Sequence, residues 1–264
     1  MKAATNGMRP ASKGLRRATS RKVVVLAGGR GTRLAPYTSV LPKPLMPIGD
    51  RAILEIVVDQ LTGHGFTDIT LCVGHLSSLI RAVFDQHVDR QAQITYVQEE
   101  APLGTAAPLR LVEGIDRTFI AMNGDVLTTL DYRDLLRRHR QSGNILTIAT
   151  QKRTTLQDYG ILHLDGAKSS LRRVTGYEEK PEIVSTVSMG IYALEPEALS
   201  YIPAEAHFDF PDLVATLLSA GEEVGAYLHD GLWFDIGRHE DYELAAKAWA
   251  EVSQGSGGKN GRRT

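Results

Sequence analysis

The sequence predicts an α/β fold with a mostly parallel, Rossmann-like central sheet, helices on both faces and an antiparallel extension. Three features predict it: short apolar runs alternate with amphipathic stretches through the first half, a glycine-rich turn directly follows the first run, and the second half is richer in strand-like segments. In the first half, residues 23–26, 69–73, 94–97 and 119–122 read as strands. Residues 53–63, 76–86, 106–113 and 132–141 carry apolar side chains at helical spacing. Strand following helix following strand implies right-handed crossovers and a parallel sheet covered on both sides. Such sheets bind ligands at the carboxyl ends of their strands, so the loops after Leu26, Val97 and Met122 are expected to converge. From about residue 145 the strand-like segments are 145–150, 161–164, 174–178 and 187–194, with a helix near 211–220. This half reads as an antiparallel extension that closes a pocket over the first.

Composition sets the outer bounds. The 264 residues, 42% of them hydrophobic, suffice for one large domain or two small ones with a sizeable core. The formal net charge of -1 is unevenly spread, because Lys2, Arg9, Lys13, Arg16, Arg17, Arg21 and Lys22 all precede the first acidic residue, Asp50. The remainder is acidic, which argues against a nucleic-acid-binding body. The single cysteine, Cys72, lies within the apolar run at 69–73 and is expected to be a buried core thiol. No stretch approaches the roughly 18 apolar residues of a membrane span, and the basic N-terminus lacks the apolar segment of a secretory signal. A cytoplasmic protein is expected. Residues 1–20 and 253–264 read as disordered tails around one domain over 21–252.

The chemistry starts at Leu26-Ala27-Gly28-Gly29-Arg30-Gly31-Thr32-Arg33-Leu34, followed by Leu41-Pro42-Lys43-Pro44. Glycines let backbone N–H groups approach a polyphosphate, and Arg33 and Lys43 supply the positive charge it demands. A Walker loop would need a lysine after Gly31, and the dinucleotide fingerprint would need a glycine at Leu34, so neither fits. Asn123-Gly124-Asp125 ends an apolar strand and puts a carboxylate at the ligand edge, where Mg2+ beside a nucleotide takes such a ligand. Pro181 stops a strand and is expected to keep Lys180 aimed inward. The histidines form no zinc-hydrolase spacing and no nucleophile elbow is present. His139 is expected on a basic, solvated helix face.

These residues carry a resemblance. The segment GGRGTRLAPYTSVLPKPLMPIGD resembles the signature of sugar-1-phosphate nucleotidyltransferases. Glu100-Ala101-Pro102-Leu103-Gly104-Thr105-Ala106, Met122-Asn123-Gly124-Asp125, Tyr159-Gly160, Glu178-Glu179-Lys180-Pro181, Met189-Gly190-Ile191-Tyr192 and Trp233-Phe234-Asp235-Ile236-Gly237 follow in that family's order, over about residues 22–245. The resemblance implies synthesis of an NDP-sugar and pyrophosphate from an NTP and a sugar or cyclitol 1-phosphate, with Mg2+. It implies a nucleotide-binding half over 21–145 and a sugar-binding extension over 146–252. Leu26, Ala27, Gly28, Gly29, Gly31, Thr32, Arg33, Gly104 and Thr105 would then face the nucleotide. Asn123, Gly124, Tyr159, Gly160, Glu179, Lys180 and Gly190 would face the sugar phosphate, and Asp125 and Asp235 the metal. Arg33, Lys43, Asp125 and Lys180 would carry the catalysis.

The run at 99–106 and the pair Lys43-Pro44 resemble the mannose-1-phosphate guanylyltransferase branch and imply GTP, with UTP or dTTP as the alternative. Ala107 departs from the glycine common in that branch. With no hexapeptide-repeat segment after residue 250, a short form of the family is expected, and self-association is left open. Partners are expected to be the two small-molecule substrates, with neither nucleic acid nor membrane. A regulatory nucleotide-sugar-binding subunit on the same fold would have lost the charged positions, and all five (Arg33, Lys43, Asp125, Lys180, Asp235) are intact. A nicotinamide oxidoreductase would need the missing glycine.

Overall fold

A computed structural model describes residues 22–257 except 87–91, 167, 169, 205 and 238, so the expected tails at 1–20 and 258–264 lie outside the described residues. The strands are β1 (Lys22–Ala27), β2 (Pro47–Ile48), β3 (Arg51–Ala52), β4 (Asp68–Val73), β5 (Gln93–Gln98), β6 (Phe119–Asn123), β7 (Val126–Thr128), β8 (Leu146–Leu156), β9 (Ile161–Leu164), β10 (Val174–Glu178), β11 (Glu182–Leu194), β12 (Val224–Leu228) and β13 (Trp233–Asp235). The helices are α1 (Ile53–Gly63), α2 (Ser77–Asp85), α3 (Tyr132–Ser142), α4 (Phe210–Ser219) and α5 (His239–Gly257), so residues 253–257 of the expected tail are helical.

Seven strands form the main sheet in the order β12-β8-β11-β6-β1-β4-β5. All its pairings are parallel except those of β11 with β6 and β8. Alternation along the strands divides the core into two faces. Val23, Val25, Leu71, Val73, Ile120 and Met122 pack with residues of α1, α2, α3 and α5. Val24, Cys72, Phe119 and Ala121 pack on the other face with Phe210, Leu213 and Leu217 of α4. Burial pushes the Cys72 thiol up to about 12, with Glu99 adding to the shift. Among the described residues no helix is long and apolar enough to cross a membrane.

The second half supplies both sheet and antiparallel extension. The inner halves of β8 and β11, with β12, complete the main sheet, and the β8–β11 register breaks between Ser188 and Tyr192. Beyond that break their outer halves project as a two-stranded ribbon and, with the β9–β10 hairpin, form an exposed arm. Two local expectations also change. Residues 106–113 hold a 3-10 turn at Ala107–Leu111 rather than an amphipathic helix, because the amides of Ala106 and Ala107 donate to the Phe208 carbonyl and Pro108 has none to donate. His139 is buried rather than solvated: Tyr132, Leu135, Leu136 and His139 form the inward face of α3. Its Nδ1 lies 2.8 Å from Thr147 Oγ1, and its Nε2 is 3.3 Å from Glu195.

Candidate active site

The loops leaving β1, β5 and β6 meet in one cavity of about 440 Å3. Its walls include Leu26, Ala27, Gly28, Gly29, Gly31, Thr32, Arg33, Gly104 and Thr105, together with Lys43, Asn123, Asp125 and Asp235. The loop after β1 is held by its own conformation. Gly31 has φ +61°, and a Cβ there would stand 2.9 Å from the Lys43 Cβ and 3.0 Å from Thr38 Cγ2. The Gly31 carbonyl accepts from the Thr38 hydroxyl at 2.9 Å. This left-handed turn with no side chain lets the loop and Lys43 close on each other.

Asp125 follows β6, and its partner comes from the far half by strand pairing. β13 runs antiparallel to β7 with Asp235 opposite Val126, and the Ile236 amide donates to the Asp125 carbonyl at 3.2 Å. One Asp125 oxygen, Oδ2, is bound by the Lys43 ammonium. The other, Oδ1, is buried without a partner among the described residues. The Asp235 carboxyl is held above the ordinary carboxylate range by burial first and by the Asp125 charge second, while Lys43 and Arg33 act against the shift. An unpartnered buried carboxylate oxygen beside a second carboxylate suits a divalent cation. Among the described residues no cluster of three or more His, Cys, Asp or Glu exists, so the protein offers few ligands. Mg2+, which keeps waters and phosphate oxygens in its shell, fits that donor set.

The opposite wall is a clamp between the two halves. Asp209 Oδ1 accepts from the Thr105 amide at 2.8 Å and its hydroxyl at 3.0 Å, and that hydroxyl lies 3.0 Å from the Phe210 amide. Thr105 therefore lines the cavity with its hydroxyl already engaged. Glu99, Pro44, Pro102 and Gly237, which lie within the sequence motifs but outside the expected binding and catalytic set, also line it, as does His207, which no motif contains. Glu99 directly follows β5 at the ligand edge of the sheet. His207 had no sequence signal; the hydrogen bonds from Ala106 and Ala107 to Phe208 bring its segment to the wall. Burial raises the Glu99 carboxyl, opposed by the Leu103 amide.

The residues expected at the sugar phosphate are divided. Asn123 is in the cavity wall, while Gly124 supports it through its amide, which donates to the Leu26 carbonyl at 2.9 Å. Gly190 packs against Asn123: a Cβ on it would lie 2.6 Å from Asn123 Nδ2. Tyr159, Gly160, Glu179 and Lys180 stand exposed on the arm, outside the cavity wall. The Tyr177 hydroxyl donates to the Glu179 carboxylate there.

Comparison with known proteins agrees with this arrangement. The sequence profile described as Nucleotidyl transferase matches residues 22–252. A UTP–glucose-1-phosphate uridylyltransferase of Synechocystis sp. is 33% identical over 246 residues, covering 86% of this chain and 62% of that protein. A mannose-1-phosphate guanyltransferase of Pichia angusta is 35% identical over 234 residues, covering 84% and 62%. The chain thus spans 62% of the length of these curated relatives. The crystal structure of HddC from Yersinia pseudotuberculosis superposes with a TM-score of 0.67 at 25% identity, covering 86% of this chain and 99% of that one. With the profile matching nearly all of the folded region, over the same sheet edge that carries the glycine-rich loop and the two carboxylates, the chain belongs to the nucleotidyl transferase family.

Proposed function

We propose that this chain transfers a nucleotidyl group from an NTP, preferentially GTP, to a sugar 1-phosphate or a sugar-like cyclitol 1-phosphate, releasing pyrophosphate. The observation that carries this reading is Asp125, with one oxygen on Lys43 and the other buried and unpartnered, beneath a glycine-rich loop that carries Arg33. An oxygen of the sugar phosphate attacks the α-phosphorus, the bond from that phosphorus to the β-phosphate oxygen breaks, and pyrophosphate departs on the opposite side. The nucleophile is ionised at neutral pH, so no general base is needed. The protein's work is to hold two mutually repelling anions in line. Amides of residues 28–32 and the Arg33 guanidinium suit the triphosphate, Lys43 suits the reacting phosphates, and Lys180 and Glu179 on the arm suit the acceptor's phosphate and hydroxyls. Asp125 and Asp235 would hold a divalent cation, which when bound neutralises phosphate charge.

The base preference rests on Glu99, whose Oε1 stands 2.3 Å from where a Gly28 Cβ would be, on the cavity wall. A carboxylate only accepts hydrogen bonds, and guanine offers adjacent N1–H and N2–H donors. Uracil and thymine interleave one donor between two carbonyls and suit an amide better. The Synechocystis relative favours UTP as the second reading. Pyrophosphate release measured over a matrix of NTPs and sugar 1-phosphates tests both levels. Glu99→Gln is expected to reduce the GTP preference over UTP by about tenfold or more. A dominant pyrimidine nucleotide with the unaltered chain sinks the guanylyl reading, and no product from any pair sinks the transferase reading.

A further inference from the structure

Arg153 lies on the outer half of β8, opposite Ser185 of β11. Its guanidinium carbon is 4.6 Å from the centroid of the Trp233 ring. That ring is itself fixed, since the indole Nε1 donates to the Met189 carbonyl at 3.1 Å and the strand is paired to β7 with Trp233 opposite Thr128. Residues two apart on a strand share a face, so the indole and the Asp235 carboxylate lie on the same side of β13. Met189 precedes Gly190, which packs on Asn123 of the cavity wall. The Arg153–Trp233 pair therefore adjoins the cavity without lining it, with Trp233 two residues from Asp235 along β13 and bonded to the residue before Gly190.

A guanidinium laid on an indole keeps its in-plane N–H donors available to an anion and loses little freedom when it binds one. Among the described residues the indole is the guanidinium's only partner. Lys43, in contrast, is already paired with Asp125. We propose that Arg153, seated on Trp233, is a phosphate-binding residue for the acceptor sugar 1-phosphate. It addresses the second substrate from the β8–β11 ribbon while Lys180 addresses it from the turn between β10 and β11. The inference rests on the transferase reading above.

The test compares the unaltered chain with Arg153→Ala, Arg153→Lys and Trp233→Leu, all checked for folding by circular dichroism. Pyrophosphate release is followed with mannose 1-phosphate or glucose 1-phosphate varied at saturating GTP, and with GTP varied at saturating acceptor. Arg153→Ala is expected to raise the acceptor KM roughly tenfold or more while leaving the GTP KM within about twofold. Arg153→Lys should recover part of the loss, since charge returns without the planar fork, and Trp233→Leu should reproduce part of it. Free mannose or glucose, as a competitive inhibitor, should bind Arg153→Ala and the unaltered chain alike. An unchanged acceptor KM, or equal rises for both substrates, overturns the assignment. If the unaltered chain turns over no substrate pair, the transferase reading has failed by itself. Calorimetric titration of glucose 1-phosphate then decides Arg153 separately, with equal affinity for the alanine variant and the unaltered chain counting against it.

Discussion

A methyl group on Gly31 would meet the Lys43 Cβ at 2.9 Å in a left-handed turn, whereas one on Gly160 would meet the Tyr177 hydroxyl and ring, and that ring is 60% exposed and can move at the cost of its hydrogen bond to Glu179. The same contrast runs through the two ends of the site. Around the cavity, Lys43 is held by Asp125 and Thr105 by Asp209, and the supporting strands are buried on both faces. The arm is a two-stranded ribbon and a hairpin, with Leu156, Leu162, Val174, Tyr177 and Val184 all more than half exposed. Two strands without a covering layer are marginal on their own. The cavity end is thus locked by its own contacts, and the arm is the more open end.

The largest expected effect lies at the locked end. Asp125→Asn should lower turnover by about a thousandfold, because an amide replaces neither the charge that pairs with Lys43 nor the one that suits a divalent cation. Pyrophosphate release at saturating Mg2+ measures it, and retention of most activity would place the reacting phosphates elsewhere.

Next comes the glycine pair. Gly31→Ala should cost about 1–3 kcal/mol in denaturant unfolding, since it strains the backbone and forces Lys43 and Thr38 apart. Gly160→Ala should stay within about 1 kcal/mol, because an exposed side chain gives way. Equal losses at the two positions would break the comparison between a locked end and an open one.

The smallest effect sharpens it. The folded Asp235 carboxyl has its pKa raised, so the folded state takes up a proton that the unfolded chain releases. The associated stability is fully present below the ordinary aspartate value and is lost as pH rises through the raised one. At neutral pH, in buffer without divalent cations, Asp235→Asn should therefore raise the melting temperature by at most a few degrees. The gain should vanish once the pH falls below the ordinary carboxylate range, and Mg2+ should stabilise the unaltered chain more than the variant. A melting temperature lowered at neutral pH would show that Asp235 supports the fold rather than strains it.

Much of this was legible in the chain. Apolar runs, helical spacing and the glycine-rich turn are local signals, and they marked every strand of the main sheet but β12, together with α1, α3 and the loop that lines the cavity. The burial of His139 was legible too: 132, 135, 136 and 139 recur at the spacing of one helix face, and the surrounding arginines obscured it. The roles of residues on the arm came from family order and not from spacing, and their exposed positions could not be read from either.

What the sequence by itself determined is the α/β sheet, the edge of it where the cavity opens, and the glycine-rich and charged residues that line it, because periodicity and turn chemistry are encoded over a few neighbouring positions. Tertiary structure alone decided that β8 and β11 each serve both sheet and arm, and that β7–β13 pairing delivers Asp235 to Asp125. It also decided that the Asp209 clamp brings His207 to the wall and that Trp233 seats Arg153. Each of these joins residues far apart in the chain, and such pairings depend on how whole elements pack, which no local pattern records.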